Sequence, residues 1–209
     1  MKSHSSSRAT PPERRPLSGA ALMQPSVTEA LTKALFEEWA RTGYGALSLE
    51  AVAKRAGVGK AALYRRWPSK MAMVSDCVEK IGIEVADSPD TGSLLGDVRE
   101  LIRSLRRLLR HPLVRRILPD LHAEMLRSPE LAHAIRGRLQ GERRARSAAV
   151  FQHAIERGEI AADSNIELLN DAIGSMVYWR LIITNGRADN QYIDELAHFI
   201  VNALRPPRL

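Results

Sequence analysis

Apolar residues recur along this chain at three- and four-residue steps, and no convincing stretch alternates with period two. The pattern predicts an all-α protein. Val27, Leu31, Leu35 and Trp39 fall at i+4 steps and predict a first helix over 26–41. Ser26 and Glu29 form a capping box at its start, and Gly43 marks its end. Leu49, Val52, Ala53 and Ala56 make the apolar face of a short second helix that Ser48 can cap. Gly57 then supplies a sharp turn, Val58 re-enters the core, and Leu63 and Trp67 are the inward residues of a third helix. Pro68 stops that helix, because the residue before a proline avoids helical angles. Ser69 caps a fourth helix with Met71, Val74, Val78, Ile81 and Val85 on one face.

Residues 84–93 read as a loop, and the helical period resumes at Leu94. Leu94 to Arg110 places Val98, Leu101, Leu105 and Leu108 on one side and a row of arginines on the other. That row reads as a solvated face whose long stems lie over the core. A shorter helix from Pro112 to Leu126 is expected to be interrupted at Pro119. Ser128, Pro129 and Glu130 then open a helix that runs towards Arg157, with a bend expected at Gly137 and Gly141. The next helix is apolar nearly all round from Ile166 to Ile183, and an amphipathic one follows through Tyr192, Ile193 and Leu204. Two strongly apolar late helices suit a homodimer in which each pair packs on its copy as a four-helix bundle. Ile166, Leu169, Ile173, Val177, Leu196, Phe199 and Ile200 are the candidate interface. The chain therefore divides into a basic arm over 1–25, a small domain with its linking helix over 26–86, and a larger helical domain over 94–205. The arm is rich in Ser, Pro, Arg and Ala without periodicity, a composition that stays disordered.

Composition narrows the function. A formal charge of +7 and a pI near 10.0 suit a polyanionic partner, and 44% hydrophobic residues support a proper core. Cys77 is the only cysteine, so no intramolecular disulfide forms, and a buried, inert thiol is expected. No run approaches the ~18 apolar residues of a membrane span, which points to a cytoplasmic protein. None of the six histidines pairs with another at i+3 or i+4, so no metal site is predicted. Nor is there a strand to carry a glycine-rich phosphate loop. No enzyme activity and no cofactor are expected.

The stretch LSLEAVAKRAGVGKAALYRRWPSK, Leu47 to Lys70, carries Lys54, Arg55, Lys60, Arg65, Arg66 and Lys70, with no acid between Ala53 and Lys70. It reads as a helix-turn-helix. Through Leu49, Val52-Ala53, Ala56-Gly57-Val58, Lys60, Leu63-Tyr64, Arg66-Trp67 and Pro68-Ser69-Lys70 it closely resembles the DNA-binding domain of TetR-family transcriptional repressors. The resemblance covers roughly Val27 to Val78, and beyond it only the layout agrees. Gly59 and Ala62 stand where such proteins often have Ser or Thr, and Arg66 where they often have His, so the base sequence read cannot be transferred.

The resemblance implies that the third helix enters the major groove with its N-terminal residues towards base edges. Gly59, Ala61 and Ala62 would then let the backbone approach closely, either alanine could touch a thymine methyl, and Lys60 could donate to guanine O6 or N7. Ser48, Tyr64, Arg66 and Lys70 would hold phosphates, and Arg65 would reach a base or the backbone. In the larger domain the resemblance implies a pocket for a small, mostly apolar ligand, with Leu121, Met125, Phe151, Met176, Tyr178 and Trp179 as candidate linings. Ligand would release a repressor from a palindromic operator by shifting its population to a form whose recognition helices no longer match successive grooves, with the fourth helix as lever. Two other readings stay open: a non-specific DNA-binding protein, and a helical ligand-binding protein without an operator.

Overall fold

The computed structural model describes residues 24–84 and 89–204, the side chains of 24–26, 82–84 and 138–147 excepted. Its helices are α1 (Gln24–Ala46), α2 (Leu49–Ala56), α3 (Lys60–Arg66), α4 (Lys70–Glu84), α5 (Leu94–Arg110), α6 (Pro112–Arg127), α7 (Pro129–Glu156), α8 (Ile166–Tyr178) and α9 (Asn190–Ala203). A single π-helical turn, Trp179–Ile183, extends α8. No strand occurs among the described residues. The proposed arm over 1–25 lies almost wholly outside them.

Most boundaries follow from local chemistry. Ser48 Oγ accepts from Ala51 N at 3.4 Å, Ser93 Oγ from Gly96 N at 3.2 Å, and Ser128 Oγ from Leu131 N at 3.2 Å. Ser69 likewise caps α4 through Ala72 N at 3.1 Å. Four expectations need correction. First, α1 begins at Gln24, so Ser26 sits within its first turn instead of capping it. Its helical path breaks at Gly43, with φ of 76°, as expected. Second, α6 runs through Pro119 without interruption. Proline removes one rung, and the neighbouring rungs and packing on both sides keep the axis going. Third, α7 is continuous across Gly137 and Gly141. Fourth, the buried rows of α4 and α5 keep Val74 and Val98 as expected, but their centres are rotated, so that Val78, Ile81, Leu101 and Leu105 pack at the margin. Met71 is 37% exposed while Met73 and Cys77 are fully buried, and α5 buries Leu94, Val98, Ile102 and Leu109.

Two apolar clusters make the core. The first joins α1–α4 to α6 and α7 through Leu31, Leu35, Trp39, Val52, Leu63, Met73, Leu121 and Leu131. The second lies under α5, α7, α8 and α9, around Val98, Ile102, Phe151, Val177, Ile193 and Ile200. The arginine row of α5 is largely pinned by its neighbours. Arg99 pairs with Asp194 of α9, Arg106 donates to Ala188 O at 3.1 Å, and Arg115 of α6 donates to Asn185 Oδ1 at 2.6 Å. Cys77 packs against Thr32, and burial pushes its thiol up to about 11, which makes it the inert residue expected.

Beside the apolar contact of the first cluster, one carboxylate of α6 makes a polar tie between the small domain and the rest. Asp120 of α6 accepts from Trp39 Nε1 at 2.6 Å and from Tyr44 N at 2.8 Å, both on the same oxygen. Its carboxylate lies 3.5 Å from the position a Cβ would take on Gly43. Within the small domain, the buried Glu38 of α1 accepts from Arg41 at 2.6 Å and from Arg55 of α2 at 2.7 Å.

Two measurements probe these ties. Asp120→Ala leaves the buried Trp39 N–H without a partner and is expected to cost about 1–3 kcal/mol, with Asp120→Asn recovering part of it. Equal denaturation midpoints for all three proteins would show that the bridge contributes nothing. Hydrogen bonds from Arg41 and then Arg55 hold the Glu38 carboxyl below its ordinary 4.5. A depressed folded pKa gives a contribution that is complete above the unfolded value and is lost as pH falls through the folded one. Glu38→Gln should therefore lower stability at neutral pH and flatten the decline below pH 4.5 in a series of urea melts.

Candidate nucleic-acid interface

The turn between α2 and α3 is built from the last carbonyls of α2. Gly57, with φ of 67°, donates to Lys54 O at 3.2 Å, and Val58 N donates to Ala53 O at 2.9 Å. This is a Schellman motif, which needs the left-handed conformation glycine takes without a Cβ clash. Val58 then packs on the core and sets the direction in which α3 leaves. Gly59 precedes α3 with no side-chain cap, and a Cβ there would meet nothing within 4 Å. Leu63 and Trp67 anchor α3 from beneath, the indole donating to Asp76 Oδ2 at 2.9 Å.

The outward side of α3 presents Gly59, Lys60, Ala61, Tyr64 and Arg65 to solvent, with Ala62, Arg66 and Lys70 half-buried at its margins. A groove-reading element needs this arrangement: small residues and a lysine at the N-terminal end, cations and a phenol beside them. Three neighbouring side chains change the reading of individual residues. Arg55 is occupied by Glu38 and lies 3.8 Å from Glu37, so it braces α2 on α1. Lys70 donates to Tyr44 O at 2.8 Å and sits 4.4 Å from the centre of the Tyr44 ring, fastening the start of α4 to the end of α1. Glu50, in the first turn of α2, accepts from Tyr64 Oη at 2.8 Å and from Ser48 Oγ at 2.9 Å. The Tyr64 hydrogen bond, then a backbone bond and Ser48, hold the Glu50 carboxyl below its usual range, and the same bond raises the Tyr64 phenol.

Sequence reasoning missed Glu50, Glu38 and Asp120. Glu50 lies only two residues from Ser48, so that contact is local, whereas Tyr64 is 14 residues away. Glu38 showed only its i+3 partner Arg41, while Arg55 and, for Asp120, Trp39 lie 17 and 81 residues away.

The candidate ligand linings divide between the two clusters. Leu121 and Met125 belong to the first; Phe151, Met176 and Tyr178 belong to the second; Trp179 is 61% exposed. One polar contact crosses between them: His122 Nδ1 lies 3.2 Å from Tyr178 Oη, with the rings 5.3 Å apart. An open groove of about 600 Å³ lies between the end of α6 and the start of α7, lined by Met125, Leu126, His133 and Arg136 among others. Of the candidate interface residues, Leu169, Ile173, Val177, Leu196 and Ile200 are buried inside the protomer, Ile166 is half-buried and Phe199 is 57% exposed. A helix apolar all round satisfies its inner face first, and these residues form that face. The outer face carries Leu168, Trp179 and Ile183. Among the described residues no group of three or more His, Cys, Asp or Glu side chains could hold a metal, and no helix is long and apolar enough to cross a membrane.

Comparison with known proteins follows the same division. Residues 31–77, which contain all of α2 and α3, match the family described as bacterial regulatory proteins of the tetR family. Residues 88–200 match the tetracyclin repressor-like C-terminal domain. The uncharacterized HTH-type transcriptional regulator Rv1556 of Mycobacterium tuberculosis is 33% identical over 158 residues, 75% of each chain. The DNA-binding transcriptional repressor TetR of Mycobacteroides abscessus is 29% identical over 168 residues, 80% of this chain and 87% of its own. The crystal structure of the TetR family transcription regulator SCO0332 superposes with a TM-score of 0.67 at 30% identity, over 87% of this chain and all of that one. With its turn, its exposed recognition helix and its helical second domain all matched, this chain belongs to the TetR family of DNA-binding transcriptional regulators.

Proposed function

We propose that the protein is a dimeric repressor that holds a palindromic operator through α3 and is released by a small-molecule effector. The observation that carries the operator reading is the exposed N-terminal end of α3, where Gly59, Lys60 and Ala61 all face solvent. Lys60 is the base-reading residue, Tyr64 and Ser48 are phosphate donors, and Arg65 reaches either. Arg66 and Lys70 lie at the margin, and Lys70 also serves α1. The repressor description of the Mycobacteroides relative supports the direction of control.

A dimer places two such helices on half-sites ~34 Å apart, which is why the operator is a palindrome. The contact surface on this reading is the outer face of α8 and α9, with Leu168 63%, Trp179 61%, Ile183 52% and Phe199 57% exposed. Large apolar side chains left in solvent on neighbouring helices are candidates for an interaction surface. The effector enters the larger domain beside α6, near His122 and Tyr178, and α6 reaches the DNA-binding unit through Asp120. A ligand that favours one position of α6 then shifts the spacing of the recognition helices. Such a role is exercised in the cytoplasm, on chromosomal DNA.

Selection of bound genomic fragments by the purified protein tests this directly. Recovery of a short palindrome supports the repressor. Recovery of random fragments, with affinity that vanishes as salt rises, supports charge-driven binding alone. Lys60→Ala should relax the recovered consensus at one base position in each half, at a cost of about 1–3 kcal/mol on the preferred sequence. Phe199→Glu should give monomers in sedimentation while leaving the melting temperature close to wild type. The same charge at Ile173 or Ile200 should unfold the protein, because those side chains are core.

A further inference from the structure

We propose that Glu50 is a built-in competitor for the DNA backbone, holding the two hydroxyl groups that a phosphate would otherwise take. The inference rests on the assignment of Ser48 and Tyr64 as phosphate donors. Each of these hydroxyls has a single proton to give, so it cannot serve the carboxylate and a phosphate at once. One oxygen of Glu50 accepts from Tyr64 on α3 at 2.8 Å, and the other accepts from Ser48 before α2 at 2.9 Å. Two donors from opposite sides of the turn thus converge on the two oxygens of one anion. A phosphate presents the same pair of acceptors, so the anion position is preformed and filled by the chain itself.

The carboxylate is exposed on a flexible stem, so it can swing away when DNA arrives. Lys60 is near enough for its charge to be felt at Glu50. Whether Glu50 is displaced or stays close, a negative charge beside the backbone opposes every phosphate equally. Backbone contacts carry no sequence information, so Glu50 weakens binding to random DNA as much as to an operator. It is a positioning residue that acts through Tyr64 and Ser48.

The test measures binding to a random-sequence duplex and to a selected fragment across salt concentrations, for wild type, Glu50→Gln, Tyr64→Phe and the double variant. Glu50→Gln should bind both duplexes about three- to fivefold more tightly. Its affinity should also fall more steeply with salt, and the gain should shrink in the Tyr64→Phe background. Glu50→Ala, which removes both acceptors where Gln keeps one, should gain at least as much as Glu50→Gln, and melting curves check that both fold. Unchanged or weaker binding by the Glu50 variants overturns the proposal and makes the acid a support for Tyr64. A gain of equal size with and without the Tyr64 hydroxyl overturns it too, leaving only bulk charge. If Tyr64→Phe and Ser48→Ala bind as wild type does, the phosphate-donor assignment itself fails, whatever the Glu50 variants do.

Discussion

Where the two parts of this molecule pack together, one carboxylate fixes the corner. Asp120 takes the indole N–H of Trp39 and the amide of Tyr44 on a single oxygen, at the point where Gly43 breaks the path of α1. Tyr44 in turn receives Lys70 on its carbonyl and over its ring, so the start of α4 is fixed by the same corner. The end of α1, the entry to α2 and the start of α4 are therefore set by a residue of the larger domain. Loss of this acceptor would strand a buried donor, and buried donors without partners are costly enough to move backbone. Whatever shifts α6 must either carry this corner with it or break the bond.

The recognition unit shows the same economy on a smaller scale. Its basic composition suggests that every cation is free for DNA, yet Arg55 is spent on Glu38 and Lys70 on the end of α1. These pairings fix the angle at which α3 is presented, and they leave Lys60, Arg65 and the Tyr64 ring outermost. The arginines of α5 are engaged in a comparable way with α9 and the turn before it. Net charge gives long-range attraction, while the residues that touch DNA are chosen by what each cation already holds.

Burial also sorts the late helices. A sequence apolar on every side predicts contact on more than one side without saying which residues serve which contact. In the folded chain the Leu169–Ile173–Val177 row packs inward on α5 and α9, and the Leu168–Trp179–Ile183 row faces out. The π turn at Trp179–Ile183, closed by Thr184 N donating to Trp179 O at 2.9 Å, shifts the last residues of that outer row by part of a turn. Helical periodicity cannot foresee such a shift, because it assumes a constant angle per residue.

By itself the sequence determined the all-helical class, the helix-turn-helix and its family, the serine caps of α2, α4 and α7, and the burial of Leu63, Trp67 and Cys77. All of these depend on neighbours within a few residues or on a period of 3.6. Only the tertiary structure decided that α6 runs through Pro119, which face of α8 is core, and which partners Glu38, Glu50, Lys70 and Asp120 take. Those outcomes turn on pairs distant in sequence, such as Trp39 with Asp120, or on packing strong enough to override a local breaker. A propensity is a local energy, and these choices were made by contacts that exist only once the helices have met.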